Sequence, residues 1–255
     1  MASANSHREL EGRVAVVTGA GRNIGRAIAL ALADGGASVV VNARSSRAET
    51  EAVAAEIQAA RGQALSCLAD VTDEAAVARM AEAARKRFGR VDIVVSNAAV
   101  RREEDLESIT FAKWREILGI ILDGAFIVAK AFLPDLKSSG AGALINIGGM
   151  TAHTGGKRRP HVIAAKNGLI GLTKGLAHDL AEYGVTVNCV VPGLIDTVRV
   201  AGSSVMPANH KASRTLVGRL GAPGDIAAAV RYLAGPGARY VTGQTIHVNG
   251  GAYLG

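Results

Sequence analysis

The chain has 255 residues, of which 49% are hydrophobic and 20% charged, and these proportions suit one large domain built of helices and strands. Its net charge of +7 indicates a mild preference for anionic ligands, while the lack of a basic and aromatic array argues against nucleic-acid binding. Two cysteines without metal-ligand spacing argue against a structural metal, and the absence of a signal-peptide core or a membrane-length apolar run predicts a cytoplasmic protein without a membrane partner.

Strand and helix patterns alternate along the chain without an internal repeat. Apolar, often β-branched runs predict seven strands, at residues 14–17, 38–42, 64–68, 91–96, 142–147, 186–191 and 245–248. Helical spacing predicts helices at residues 26–33, 46–61, 73–88, 111–132, 161–183 and 223–233. The second helix opens with a capping-box pattern at Ser46 and Glu49, and Pro134 ends the fourth.

Repeated strand–helix units predict a doubly wound, parallel, seven-stranded sheet of Rossmann-like class, because crossovers between parallel strands are right-handed. Ligands of such sheets bind at the carboxyl ends of the strands. Residues 1–10 are predicted to be a flexible segment, and residues 11–255 to form a single dinucleotide-binding domain.

The first strand is followed by a glycine-rich turn. Gly19, Gly21 and Gly25 lie between the apolar run at residues 14–17 and the first predicted helix. Glycines let the backbone approach a ligand closely, and a helix N-terminus offers unpaired N–H groups and partial positive charge to a pyrophosphate. The spacing G-x-G-x-x-x-G differs from the fingerprint G-x-G-x-x-G. Taken alone, the turn therefore fits either a dinucleotide site or a tight turn that binds nothing.

Further motifs follow the carboxyl ends of the later strands. They are Asp70-Val71, Asn97-Ala98, Lys166, residues 188–193 and residues 242–251. Together with residues 18–25, and in this order, they make the chain from Glu11 onward resemble the short-chain dehydrogenase/reductase family. The resemblance implies a Rossmann-like oxidoreductase with a nicotinamide cofactor. Asn23 and Ala99 depart from the family pattern, which usually has glycine at both positions.

The resemblance also implies a cofactor site. The residues that it assigns to cofactor binding are Gly19, Gly21, Arg22, Asn23, Ile24, Gly25, Arg44, Ser45, Asp70, Val71, Asn97, Ala98, Lys166, Pro192, Gly193 and Ile195. NAD-selective sites place an acidic residue at the end of the second strand, whereas NADP needs cations for its extra phosphate. By resemblance Ala43 takes the acidic position, Arg44 follows it, and Arg22 is expected to project from the glycine turn toward the same phosphate, so NADP(H) is predicted. The alternative is that both arginines are solvated surface charges.

The catalytic set that the resemblance implies is incomplete. In the family a tyrosine donates the proton, a lysine four residues later lowers the pKa of that tyrosine, and a serine and an asparagine complete the set. This chain retains Lys166, but the other three positions align with Val162, Gly149 and Ile121. No insertion or deletion accounts for the loss, because the spacing from position 149 to position 162 is intact. The sequence therefore predicts that a proton-relay pocket has become apolar.

Other side chains are candidates for the missing acid. Lys166 is predicted to hydrogen bond to the nicotinamide ribose, as the resemblance implies, or to protonate a product if apolar surroundings lower its pKa. His161 is a second catalytic candidate. On a helix, however, it is turned by about 100° from the face shared by Val162 and Lys166, so it reaches the substrate only if the helix begins later. His153 is a third candidate, in a loop that borders the predicted substrate pocket.

Two functions remain open from the sequence. One is an NADP(H)-dependent oxidoreductase that reduces an activated C=N, C=C or C=O group of a small substrate, since hydride delivery depends mainly on positioning. The other is a catalytically silent NADP(H)-binding protein that acts as a sensor or partner subunit. Basic residues at 101–102 and 157–159 form either a rim for an anionic substrate or a solvated loop.

Two further expectations concern the surroundings of the site. Residues 197–220 have the length and mixed polarity of a lid that covers the substrate. The long helices at residues 111–132 and 161–183 and the apolar tail at residues 252–254 resemble the surfaces through which the family builds tetramers, so a homotetramer is expected.

Overall fold

The computed structural model describes residues 8–197 and 215–255, in which seven parallel strands form one sheet of order β3-β2-β1-β4-β5-β6-β7. The strands are β1 (Val14–Val17), β2 (Ser38–Ala43), β3 (Ala64–Leu68), β4 (Ile93–Ser96), β5 (Ala143–Ile147), β6 (Thr186–Pro192) and β7 (Thr245–Val248). The helices are α1 (Asn23–Asp34), α2 (Arg47–Ala59), α3 (Glu74–Phe88), α4 (Phe111–Leu118), α5 (Gly124–Ala131), α6 (Leu133–Ser139), α7 (Thr151–Thr154), α8 (Pro160–Leu180) and α9 (Pro223–Ala234). The predicted fold class is confirmed.

The strand order reverses between β1 and β4. β1 pairs with β2 on one side and with β4 on the other, so that Val16 lies between Val40 and Val94. From here the chain winds outward in both directions, and the loops that follow β1 and β4 leave to opposite sides. A crevice therefore opens at the carboxyl ends of these strands, which is where ligands of such sheets bind.

Both faces of the sheet are covered by helices, because alternate side chains of each strand point to opposite faces. Ala15 and Val17 of β1 share one apolar core with α1, α2 and α9. Val14 and Val16 share the other core with α3, α5 and α8. All four side chains are at most 6% exposed, which explains why β1 reads as an uninterrupted apolar run.

The predicted helix at residues 111–132 is not one regular helix. A π-helical turn, Gly119–Asp123, separates α4 from α5, and such turns occur mostly at functional sites. Pro134 lies in the first turn of a further helix, α6, where its missing N–H group costs nothing. The Ser46 side chain makes no capping hydrogen bond, so the predicted capping box at α2 is wrong.

Residues 8–10, which were predicted to be flexible, contact the rest of the domain. Leu10 is completely buried, and its N–H group donates to the carbonyl oxygen of Gly35 at 2.8 Å. Glu9 pairs with Arg231 of α9 at 2.6 Å. Residues 8–10 are therefore part of the domain, and the rest of the segment predicted to be flexible lies outside the described residues.

In the described ranges no single helix combines the length and apolarity needed to span a membrane. The segments Phe111–Ala131 and Leu133–Ser139, bent by 55° relative to each other, meet those two criteria only as a pair.

Candidate cofactor and active site

A cleft of about 620 Å³ lies at the carboxyl ends of the strands and is lined by the loops that follow β1 to β6. Every residue that the sequence predicted for cofactor binding lines it: Gly19, Gly21, Arg22, Asn23, Ile24, Gly25, Arg44, Ser45, Asp70, Val71, Asn97, Ala98, Lys166, Pro192, Gly193 and Ile195. Residues far apart in the sequence thus meet in one cleft because the sheet aligns the ends of its strands.

Two glycines of the turn after β1 leave little room for a side chain. A Cβ atom on Gly25 would lie 2.1 Å from the carbonyl oxygen of Gly19, and one on Gly19 would lie 3.0 Å from Cα of Ala98. Asn23, where the family usually has glycine, has a positive φ of 49°. Asparagine tolerates this left-handed conformation better than most residues, so the substitution preserves the turn. The residue before α1, Arg22, makes no side-chain capping hydrogen bond, and the N-terminus of the helix carries the partial positive charge that favours an anion.

Asn97 ties the end of β4 to this turn. Its Nδ2 donates to the carbonyl oxygens of Thr18 and Gly19 at 2.9 and 3.0 Å. Thr18 Oγ1 in turn accepts from the N–H groups of Asn97 and Ala98 at 2.9 and 3.0 Å. The Asn97 amide hydrogens are therefore engaged by the backbone, and the side chain lines the cleft chiefly as a brace for the glycine turn.

The end of β2 carries the charges that were predicted to select the cofactor. Ala43 closes the strand, and Arg44 lines the cleft directly after it. Arg22 reaches Glu49 of α2 with 3.8 Å between Nη1 and Oε1. The Glu49 carboxylate also lies 3.0 Å from the position of a Cβ atom on Gly21. Glu49 therefore lines the cleft, although the sequence pattern predicted that it caps α2.

Lys166 is the polar residue retained from the expected catalytic set. Its Nζ donates to the carbonyl oxygen of Ile147, at the end of β5, at 2.5 Å. Burial of the ammonium group lowers the pKa of Lys166 to about 8, while nearby Cys189 opposes the shift. The same burial raises the pKa of the Cys189 thiol to about 11, so this cysteine is not a nucleophile.

The three altered positions differ in their surroundings. Val162 lines the cleft one helical turn before Lys166. Gly149 also lines it, and the nearest atom to a Cβ built there is Lys166 Cγ at 4.0 Å, so the space beside Gly149 is open. Ile121 is 1% exposed and packs in an apolar cluster with Val162 and Leu169, while its neighbour Ile120 lines the cleft instead.

The structure contradicts the proposed catalytic role of His161. α8 begins at Pro160, so His161 lies on the helix, is completely buried and does not line the cleft. Burial lowers the pKa of its imidazole, and neither ring nitrogen has a hydrogen-bond partner among the described residues. His153 is also away from the cleft, because its ring packs against those of His247 and Tyr253 with centroids 4.5 and 5.6 Å apart.

The predicted basic rim is divided by ion pairs. Arg102 pairs with Glu116 at 2.6 Å, and Arg158 pairs with Asp105 at 3.0 Å, and neither arginine lines the cleft. Arg101 and Arg159 do line it. Of the predicted basic rim, Arg101 and Arg159 therefore lie where they could contact a bound substrate.

Comparison with known proteins gives consistent matches over nearly the whole chain. The family model described as enoyl-(acyl carrier protein) reductase matches residues 19–253. The chain is 38% identical over 245 residues to 3-oxoacyl-[acyl-carrier-protein] reductase FabG of Vibrio cholerae, covering 96% of this chain and 99% of that protein. It is 38% identical over 244 residues to the FabG protein of Escherichia coli, with 96% and 98% covered.

Solved structures show the same likeness. A dehydrogenase/reductase from Sinorhizobium meliloti superposes with a TM-score of 0.92 at 34% identity, covering 98% of both chains. A short-chain dehydrogenase from Burkholderia cenocepacia, solved in complex with NADP, superposes with a TM-score of 0.88 at 33% identity, covering 96% of this chain and 99% of that one.

Proposed function

The chain belongs to the short-chain dehydrogenase/reductase family, and from this premise we propose that it is an NADP(H)-dependent oxidoreductase with an atypical active site. Its substrate is a small molecule with an activated C=C, C=N or C=O group. The observation that carries the proposal is the retention of Lys166, buried in a cleft where Val162 and Gly149 replace the usual hydroxyl groups.

The residues of the cleft fit a dinucleotide. The turn has no room for a side chain at Gly25 and little at Gly19, and the first residues of α1 line the same cleft. The absence of an acidic residue at Ala43 and the placement of Arg44 favour NADP(H) over NAD(H). The Burkholderia relative, which is complexed with NADP, supports the same choice.

Bound NADPH would supply a hydride. Lys166 would hold the nicotinamide ribose through Nζ, which the carbonyl group of Ile147 keeps in place. Because its pKa is about 8, part of the Lys166 population is protonated and part is neutral near that pH, which suits proton donation to a product. Val162 and Ile120 contribute an apolar wall that excludes water and orients the substrate.

The missing tyrosine narrows the choice of substrate. An iminium group needs no proton donor, since hydride addition neutralises its charge. In an activated C=C group the negative charge is spread over the conjugated substituent of the substrate. An isolated ketone lacks both advantages, so we expect ordinary carbonyl reduction to be slow, although the names of the relatives point to 3-oxoacyl reduction.

The deciding experiment measures NADPH oxidation by the purified protein with matched panels of ketones, imines and activated alkenes. Turnover of alkenes or imines above that of ketones supports the proposal. Turnover of ketones alone would contradict the atypical mechanism.

Cofactor choice has its own test. We expect NADPH to raise the melting temperature more than NADH does at equal concentration. Arg44→Ser should weaken NADPH binding by about 10- to 100-fold, because a charge-assisted hydrogen bond contributes about 1.5–3 kcal/mol, and should leave NADH binding unchanged. Arg47→Ser is the matched control, since Arg47 is exposed, pairs with Glu51 and does not line the cleft. Equal weakening of both cofactors would overturn the assignment.

The second candidate function is a catalytically silent NADP(H)-binding protein that acts as a sensor or partner subunit. It is favoured by the packing of Val162 with Ile121 in one apolar cluster, because this packing puts apolar side chains at two positions where the family has members of its proton relay. NADPH binding without turnover of any substrate class would support this function over the first.

We also propose a cytoplasmic homotetramer. Phe111 at 77% and Phe126 at 49% exposure place apolar surface on α4 and α5, and Leu254 is 77% exposed in the C-terminal tail. Light scattering after size exclusion tests the assembly.

The proposed lid at residues 197–220 lies mostly outside the described residues, which resume at Thr215.

A further inference from the structure

Three side chains at the start of α8 face the cleft together. Val162 and Lys166 lie one turn apart on the same side of α8, Arg159 is the residue directly before the helix, and all three line the cleft. Lys166 lies beside the expected reaction centre, and Val162 lies one turn away. Arg159 lies three residues before Val162, at the N-terminal end of α8.

The guanidinium group of Arg159 is poorly satisfied. Its side chain is 17% exposed, and Nη2 donates to Glu103 in the loop after β4. Nε is buried and has no hydrogen-bond partner among residues 8–197 and 215–255. An unsatisfied buried donor costs about 1–3 kcal/mol, so the protein maintains this arginine at an energetic disadvantage.

The backbone imposes the orientation of Arg159. Arg158 has a left-handed φ of 62°, which is strained for an arginine, and its carbonyl oxygen accepts from the N–H group of Glu104 at 2.7 Å. This turn sends Arg158 outward to Asp105, with both side chains more than half exposed, and sends Arg159 inward. The strain thus separates two adjacent arginines into a surface residue and a cleft residue.

The charges around Arg159 favour an anion. Arg101 also lines the cleft, with its Nη2 3.6 Å from Glu103, and Lys166 adds a third cationic group. Glu103 is shared by the two arginines and does not itself line the cleft. The two arginines share one carboxylate and therefore leave a net positive charge beside this part of the cleft.

We propose that Arg159 binds a carboxylate group of the substrate and that Arg101 supports it. This inference rests on the proposed function and assigns its substrate class, small molecules with a carboxylate remote from the reducible group. Arginine suits this role because its planar fork matches the two oxygens of a carboxylate.

The test measures binding to the NADP⁺-loaded protein, so that no turnover is needed. The probe is 4-oxopentanoate, and its neutral counterpart is hexane-2,5-dione, which replaces the carboxylate with a methyl ketone of similar size. We expect the anion to bind at least about 10-fold more tightly, and Arg159→Gln to remove this preference while leaving the dione unaffected. Arg158→Gln is the matched control, because Arg158 points to solvent, and it should leave both affinities unchanged.

A second variant separates ligand binding from a structural ion pair. Glu103→Gln breaks the same pair from the other side, yet it should retain or strengthen 4-oxopentanoate binding, because it removes a competing carboxylate. Equal losses in Arg159→Gln and Glu103→Gln would overturn the proposal, as would equal binding of the two probes to the unaltered protein.

Two measurements distinguish failure of the carboxylate site at Arg159 from failure of the proposed oxidoreductase function. Thermal shift with NADP⁺ reports cofactor binding independently, and the probe titrations are repeated without NADP⁺. A carboxylate preference that persists without cofactor binding supports the subsite although the proposed function fails. Cofactor binding without any carboxylate preference rejects the subsite alone.

Discussion

The ammonium group of Lys166 is held by the carbonyl oxygen of Ile147, with 2.5 Å between the two atoms. This contact joins α8 to the end of β5 at the centre of the cleft. One carbonyl group does not replace the water that an ammonium group loses on burial, and the pKa of Lys166 therefore falls to about 8. The lysine thus combines fixed position with a proton that it can release near neutral pH.

Lys166→Met should stabilise the protein without cofactor near neutral pH. The pKa of Lys166 is about 8 in the folded protein and 10.5 in its ordinary state. Between these two pH values the unfolded chain therefore binds more protons than the folded protein does. The unfolding free energy of the unaltered protein therefore rises with pH across this window, and the cost of the buried ammonium group is greatest below it. The variant removes a cost of roughly 3 kcal/mol and loses about 1 kcal/mol with the hydrogen bond.

Urea denaturation at about pH 7 and about pH 10 measures this difference. We expect the variant to be more stable by roughly 1–3 kcal/mol at the lower pH and to show little or no advantage at the higher one. An advantage of equal size at both values would show that the charge of Lys166 is not its source.

Restoring the two hydroxyl groups should raise carbonyl reduction. Gly149→Ser fits into open space beside Lys166, and Val162→Tyr places a phenol in the cleft one helical turn before Lys166. A positioned general acid contributes about 10²–10⁴-fold, so the double variant should reduce ketones at least about 100-fold faster with NADPH. A folded double variant with no gain would indicate that the substrate pocket differs in more than its acid.

Adding Ile121→Asn should harm stability more than it helps catalysis. Ile121 is 1% exposed in an apolar cluster, and an amide buried there without partners costs roughly 2–4 kcal/mol. Thermal unfolding of the triple and double variants gives the comparison. An equal melting temperature for both would show that the π-helical turn at Gly119–Asp123 satisfies the amide.

Glu49→Gln should tighten NADPH binding. The Glu49 carboxylate lies beside Gly21 and competes with an incoming phosphate for Arg22. Exposed ion pairs contribute about 0.2–1 kcal/mol, so the expected gain is up to about 5-fold, with NADH unaffected. Glu51→Gln is the control on the same helix, since Glu51 pairs with Arg47 outside the cleft. Weaker NADPH binding by Glu49→Gln would show that Glu49 instead holds Arg22 in its binding position.

Gly25→Ala should abolish cofactor binding or folding. The added methyl group would lie 2.1 Å from the carbonyl oxygen of Gly19 and 2.6 Å from Nδ2 of Asn97. Gly171→Ala in α8 is the contrast, because no atom lies within 4 Å of its added Cβ, and helical alanine is favoured by about 0.5–1 kcal/mol over glycine. Thermal unfolding with and without NADPH checks both variants. A Gly25→Ala protein with normal stability and affinity would refute the tight-turn account.

The sequence by itself determined the fold and the location of the site. Strands such as Val14–Val17 are buried on both faces and therefore appear as apolar runs, and each alternates with a helix of clear periodicity. Because parallel strands end at a common edge, motifs that follow them must meet there, as Gly19, Asn97 and Pro192 do. That Val162 and Gly149 stand where the family has hydroxyl groups remains a prediction, which rests on the family resemblance together with the intact spacing to Lys166.

Only the tertiary structure decided which charged and polar side chains reach the cleft. The first residue of α8 fixes whether His161 faces the substrate, and the left-handed turn at Arg158 decides which of two adjacent arginines points inward. Glu49 turns to Gly21 instead of capping α2. The pKa of Lys166 depends on burial by residues distant in the chain. These properties arise from contacts across the sheet, and a local sequence pattern does not encode which distant partner a polar side chain will meet.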